Sequence, residues 1–202
     1  MESVYSQLEP HLPNVGKPIQ YIGGELNSVV KEWDDVEIRW ALMYPDAYEV
    51  GQPNQGVQIL YEVLNEREWI LAERTYSVLG DMEKVMREHH IPQFTVDAHR
   101  PVGAFDLFGV SFSTELGYTN LLTALDLAGI PLHAVDRDET HPIVIAGGHS
   151  AFNPETIADF VDAAVMGDGE EITLAISEVV REWKAEGRPG GRTEVLARLA
   201  AS

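Results

Sequence analysis

The chain has 202 residues, enough for one full α/β domain with an extension and tight for two domains. Its 33 acidic residues outweigh 14 Lys and Arg for a net charge of −19, which disfavours nucleic acid or an anionic membrane surface as a partner. Cysteine is absent, which excludes disulfides, a catalytic thiol and any thiolate-ligated metal or iron–sulfur site within these residues.

No stretch holds the roughly eighteen apolar residues of a membrane span. The nearest, Leu116 to Val135, is interrupted by Asp126, Gly129 and Pro131. The opening MESVYSQLEP lacks the basic and apolar regions of a secretion signal, so the expected location is cytoplasmic. Residues 1–35, with Pro10, Pro13, Pro18 and Gly23-Gly24, read as an N-terminal extension holding at most a short helix or two. Ile38 to Tyr44 predicts a buried strand, followed by the loop PDAYEVGQPNQG. Val57, Leu60, Tyr61 and Leu64 recur at helical spacing, and Trp69 to Tyr76 predicts a second strand. Asp81 then caps a helix whose apolar side is Met82, Val85, Met86 and His89.

Phe94 to Val96 and Leu107 to Phe112 are short and β-rich. Tyr118 to Ala128 predicts a helix closed by Gly129 and blocked by Pro131. Ile143 to Ala146 is a strand opening into Gly147-Gly148, and Asn153-Pro154 has the form of a helix start. Ala163 to Met166 predicts the last strand, and GDGEE leads into a helix carrying Ile172, Ile176, Val179, Val180 and Trp183. Residues 187–202 read as a Gly/Pro linker and the start of a truncated following region.

Five apolar strands alternate with helices and lack the polar alternation of a half-exposed sheet. Strands of that kind belong to a parallel sheet covered on both faces. The predicted fold class is α/β: a doubly wound, flavodoxin-like, parallel five-stranded sheet over residues 36–186. Its expected strand order is 2-1-3-4-5, with Ile38–Tyr44 beside Leu107–Phe112. Ligands in such folds bind outside the carboxyl ends of the strands. That rule selects the loops at 45–56, 111–117, 147–153 and 167–170.

Gly147-Gly148 and Gly167-x-Gly169 stand at two of those ends, where a backbone can approach a ligand or simply turn tightly. No GxGxxG fingerprint follows the first strand. Glu170 and Glu171 complement the dipole of the last helix and argue against phosphate there. The seven histidines form no chelating set: His89 and His90 are adjacent on a helix, and His99 and His141 lie in loops without a ligand-spaced carboxylate. His149, after the glycine pair, is the one candidate ligand contact. No GxSxG elbow or other catalytic centre is present.

The segments FDLFGVSFSTE and VIAGGHSAFNPETIADFVDAAVMGDGEE resemble the cobalamin-binding domain that precedes the catalytic domain in many radical SAM proteins. The matching residues are Asp106, Gly109 and Ser111; Gly147, Gly148, Pro154 and Glu155; and Asp162, Gly167, Gly169 and Glu170. The opening KPIQYIGGELNSV and RWALMYPDAYEVGQPNQGVQILYEVLN is similar to one subfamily of such proteins, which continues into a radical SAM domain and a further C-terminal domain. Carriers that ligate cobalt through histidine have D-x-H-x-x-G after the first strand. Here that loop holds no histidine, and DAHRPVG, with His99, precedes the third central strand instead.

The resemblance implies an N-terminal module that presents cobalamin, or shapes the substrate cavity, over a 4Fe–4S cluster and S-adenosylmethionine in a downstream domain of the same polypeptide. These residues are not expected to catalyse a reaction alone. The expected cofactor-binding residues are Asp46, Tyr48, Asn54, Ser111, Thr114, Gly147, Gly148, His149, Gly167, Gly169 and Glu170, with no metal ligand among them. Two other readings stand beside this one. The first is a ligand-free docking domain. The second is a flavodoxin-like nucleotide binder, which the absence of Ser and Thr from the 45–56 loop disfavours.

Overall fold

The computed structural model describes residues 1–201, and Ser202, the last residue of the predicted tail, lies outside them. Strands β1 (Ile38–Ala47), β2 (Ile70–Ser77), β3 (Leu107–Ser111), β4 (Ile143–Gly147) and β5 (Ala163–Ala164) form one sheet. Every pairing is parallel and the order is β2-β1-β3-β4-β5, with β1 beside β3 at the centre, as expected. The helices are α1 (Tyr5–Leu8), α2 (Tyr48–Gly51), α3 (Gln55–Asn65), α4 (Gly80–His89), α5 (Tyr118–Ala128), α6 (Gly169–Ala185) and α7 (Gly191–Ala201).

The unbroken apolar runs of the strands feed two cores, because successive side chains point to opposite faces. Ala41 and Met43 of β1 join Phe108, Val110 and Val144 beneath Leu121 and Leu125 of α5. Ile38, Trp40 and Leu42 face the other way and pack with Val57 and Leu64 of α3, Ile176 and Val180 of α6, and Val195 of α7. The last contact ties residues 191–201 into the domain.

The N-terminal extension is also part of the fold. Its prolines favour 3-10 turns over a long helix. Val4, Leu8, Leu12, Val15 and Tyr21 build a third core with Met82, Met86, Ile91 and Phe94. Asp81 does not cap α4, which begins at Gly80 after Leu79 with no side-chain cap; inside the first turn its carboxylate accepts the Gly16 backbone N–H at 2.7 Å and the Met82 N–H, fastening the extension to the helix.

Three predicted elements take other forms. Phe94–Val96 makes only one bridge, Phe94 with Pro101, because the Thr95 and Val96 N–H groups bond to Arg100 and Arg74 carbonyls. Asn153 caps no helix: Pro154–Thr156 is a single 3-10 turn, and the Phe160 and Val161 N–H groups fold back onto the Ile157 carbonyl. β1 runs on through Pro45 to Ala47, with a register shift between Tyr44 and Ala47 against β2.

The two motif aspartates lock the amino ends of the strands. Asp106 Oδ2 accepts the Arg39 N–H at 3.0 Å while Lys184 Nζ donates to Oδ1 at 2.6 Å. Asp162 Oδ2 accepts the Val144 N–H at 2.7 Å and pairs with Arg137 and Arg192. Both lie at the edge of the sheet opposite the carboxyl-end loops.

Candidate functional site

At the carboxyl ends of β1, β3 and β4 the sheet stays uncovered between α3 and α6. The gap is a cavity of about 190 Å³. Trp40, Leu42 and Gly109 are on its sheet side, Val57 and Leu60 on the α3 side, and Ile172, Thr173 and Ile176 on the α6 side. Ser111, Gly147, Gly148, Gly167, Gly169 and Glu170 complete the lining at the strand ends. Six of the eleven expected site residues therefore converge on one slot.

Four of the six glycines in the slot's lining differ in what a side chain there would meet. A Cβ on Gly109 would stand 2.9 Å from the Trp40 ring, so the bare backbone of β3 makes room for the indole. Gly148 has φ of +89°, and a Cβ there would come 2.7 Å from the Phe112 carbonyl oxygen. Its backbone must fold closely over Phe112, whose N–H donates to the Gly147 carbonyl at 2.8 Å. Gly147 is different: a Cβ there meets nothing within 4 Å and points into open space. Gly167 also has open space but a φ of +115°.

Polar groups near the walls are used internally. Trp40 Nε1 donates to Ser177 Oγ at 2.8 Å, Ser177 Oγ to the Thr173 carbonyl at 2.7 Å, and Thr173 Oγ1 to the Gly169 carbonyl at 2.8 Å. This relay fastens α6 to β1 and turns its hydrogens away from the slot. The Ser111 hydroxyl, by contrast, hydrogen-bonds to no described residue.

The other five expected residues lie outside the lining. Asn54 Oδ1 accepts the Val57 N–H at 3.1 Å and caps α3. Asp46 accepts the Ala47 N–H at 2.7 Å, and Thr114 and His149 are exposed in the turns that follow β3 and β4. Tyr48 is the informative one. In Asp46-Ala47-Tyr48-Glu49-Val50-Gly51 it takes the place that histidine holds in D-x-H-x-x-G, a match the sequence already carries. Its hydroxyl donates to the Glu25 carboxylate, and burial together with that bond pushes the phenol up to about 12. It stays protonated and turned toward the N-terminal extension. Gly51 completes the pattern because a Cβ there would press into Tyr76 and Tyr44.

His99 is no ligand in this arrangement. It is buried against Tyr5 and Phe94, with Nε2 2.8 Å from the Tyr21 carbonyl oxygen, and burial lowers its pKa. No cluster of three or more His, Asp or Glu with metal-holding geometry occurs among the described residues. No helix among them is long and apolar enough to cross a membrane. The segments that follow the strands' carboxyl ends expose Val50, Ile59, Leu116, Phe152 and Met166 on a strongly acidic chain, and Ile59 lines the slot itself.

No curated protein and no solved structure matches the chain. The family of N-terminal regions of radical SAM proteins matches residues 56–202, which span β2 to β5, all but the first residue of α3, and both glycine-rich strand ends of the slot. The chain belongs to this family, the N-terminal domain of radical SAM proteins.

Proposed function

We propose that the chain is the module that holds cobalamin by its nucleotide tail, with the lower base detached from cobalt and buried in the slot beside β3. The slot itself is the observation that carries this reading. Its walls are apolar, the Cβ-free Gly147 leaves its rim open, and the Ser111 hydroxyl can donate to the one acceptor nitrogen of a detached benzimidazole. The loop after β1 offers no imidazole and holds Tyr48 on Glu25, so it would supply no nitrogen ligand to a bound corrinoid.

When bound, cobalamin supplies a cobalt centre for group-transfer chemistry above the strand ends. The residues of this chain bind the tail and exclude water from its base. Radical SAM proteins carry a 4Fe–4S cluster and S-adenosylmethionine in their catalytic domain, and with no cysteine here such a cluster is not ligated by these residues. The exposed apolar side chains that follow the strands' carboxyl ends, Val50, Leu116, Phe152 and Met166, fit a catalytic domain of the same polypeptide seated on that edge of the sheet.

The test is retention of hydroxocobalamin through gel filtration, read by its visible spectrum. The wild-type protein should keep the corrinoid, and Gly147→Leu, whose side chain enters open space, should lose it with an unchanged circular dichroism spectrum. Colourless wild-type protein would leave the ligand-free docking reading in its place.

A further inference from the structure

The slot is unevenly polar, and that asymmetry bears on which corrinoid it accepts. Trp40, Leu42, Ile145 and Ile176 form its buried end, each less than 5% exposed. Among the slot-lining residues there is no Asn, Gln, His, Lys or Arg. The Trp40 and Thr173 hydrogens are committed to Ser177 and Gly169. Ser111, at the strand-end mouth beside the exposed Glu170 carboxylate, is therefore the one side-chain donor left in the lining, since the Thr173 oxygen can only accept. From Ser111 down to Gly109 is two residues of β3, about 7 Å of strand. That is the length of a bicyclic base lying on edge.

We propose that the slot selects the lower base of the corrinoid: it accepts dimethylbenzimidazole and rejects adenine. This rests on the cobalamin reading above. A detached benzimidazole carries one acceptor nitrogen, which Ser111 can satisfy at the mouth, and presents its two methyl groups to Leu42, Ile145 and Ile176. Adenine of similar shape brings an exocyclic amine and further ring nitrogens. Whichever edge enters, some of these face aliphatic side chains that offer neither donor nor acceptor, and a buried polar group left unpaired is costly. A site of this kind discriminates against the more polar ligand by about tenfold or more.

The experiment compares three corrinoids on the purified protein by equilibrium titration. They are hydroxocobalamin, the cobamide whose lower base is adenine, and cobinamide, which has no base. The proposal expects hydroxocobalamin to bind at least tenfold more tightly than either of the others. Equal affinity for the benzimidazole and adenine forms would overturn the selectivity while leaving cobalamin binding in place. Equal affinity for cobinamide would show that the tail is not held, overturning it as well. Binding of none of the three would remove the cobalamin reading and the selectivity with it. As a gain-of-function arm, Ile176→Gln, checked for folding by circular dichroism, places an amide in the buried end. It should shrink the benzimidazole-to-adenine ratio, and an unchanged ratio in a folded variant would count against the proposal.

Discussion

Asp162 lies at the edge of the sheet opposite the slot and gathers three partners there. Its side chain is 1% exposed and holds the Val144 N–H, Arg137 and Arg192 together. Removing one member of a buried, hydrogen-bonded charge set strands the others, so Asp162→Ala should cost about 3–5 kcal/mol. Urea denaturation measures this, and a loss below about 1 kcal/mol would contradict the role. His99 makes a pH-dependent contribution. Burial depresses its folded pKa below the unfolded value of about 6.5, so the folded state keeps the imidazole neutral. Its contribution is complete above that value and is lost as pH falls toward the folded pKa. His99→Gln should flatten the fall in stability between pH 7 and pH 5 without altering any corrinoid spectrum. The sequence separates His99 from the first-strand loop but cannot supply its partner, the Tyr21 carbonyl 78 residues away.

Elements explain which parts of the site the sequence makes legible. The glycine pairs fall at strand ends because each follows a short apolar run, and Ser111, Gly147, Gly167, Gly169 and Glu170 all reach the slot. What a pair of glycines cannot say is which one is open and which is structural. Gly147→Leu should melt within a few degrees of wild type, whereas Gly148→Leu, strained at φ +89° and colliding with the Phe112 backbone, should lose most of the fold. Thermal denaturation followed by circular dichroism separates them. Asn54 shows the opposite limit: a loop amide near a ligand face reads like a contact residue, but its side chain is consumed in capping α3. The walls of the slot, Leu60, Ile172 and Ile176, read from the sequence only as core positions of amphipathic helices, because periodicity does not reveal where a core is left unfilled. The sequence reads residues 187–202 as a linker and the start of a following region, and the packing of Val195 on the domain needs partners far along the chain that periodicity does not name. Truncating the chain after Gly187 removes Val195 from the core and Arg192 from Asp162, and should lower Tm by about 5 °C or more. An unchanged Tm would make α7 an appendage.

The whole sheet was legible because continuous apolar strands alternating with helices admit few arrangements. The N-terminal extension was not, since its apolar residues are broken up by proline and their partners Met82, Met86 and Phe94 lie far along the chain. A net charge of −19 on a chain of this size works against compactness through self-repulsion. Raising the ionic strength from about 0.01 M to about 0.15 M should therefore raise Tm by screening. In the proposed complex the slot holds the lower base away from cobalt and no side chain of this chain replaces it. Electron paramagnetic resonance of the reduced cobalt(II) form, bound to the protein, tests this directly, because an axial nitrogen splits the cobalt lines into triplets. The account predicts a bound signal without nitrogen splitting, and a bound signal that retains the triplets would contradict it.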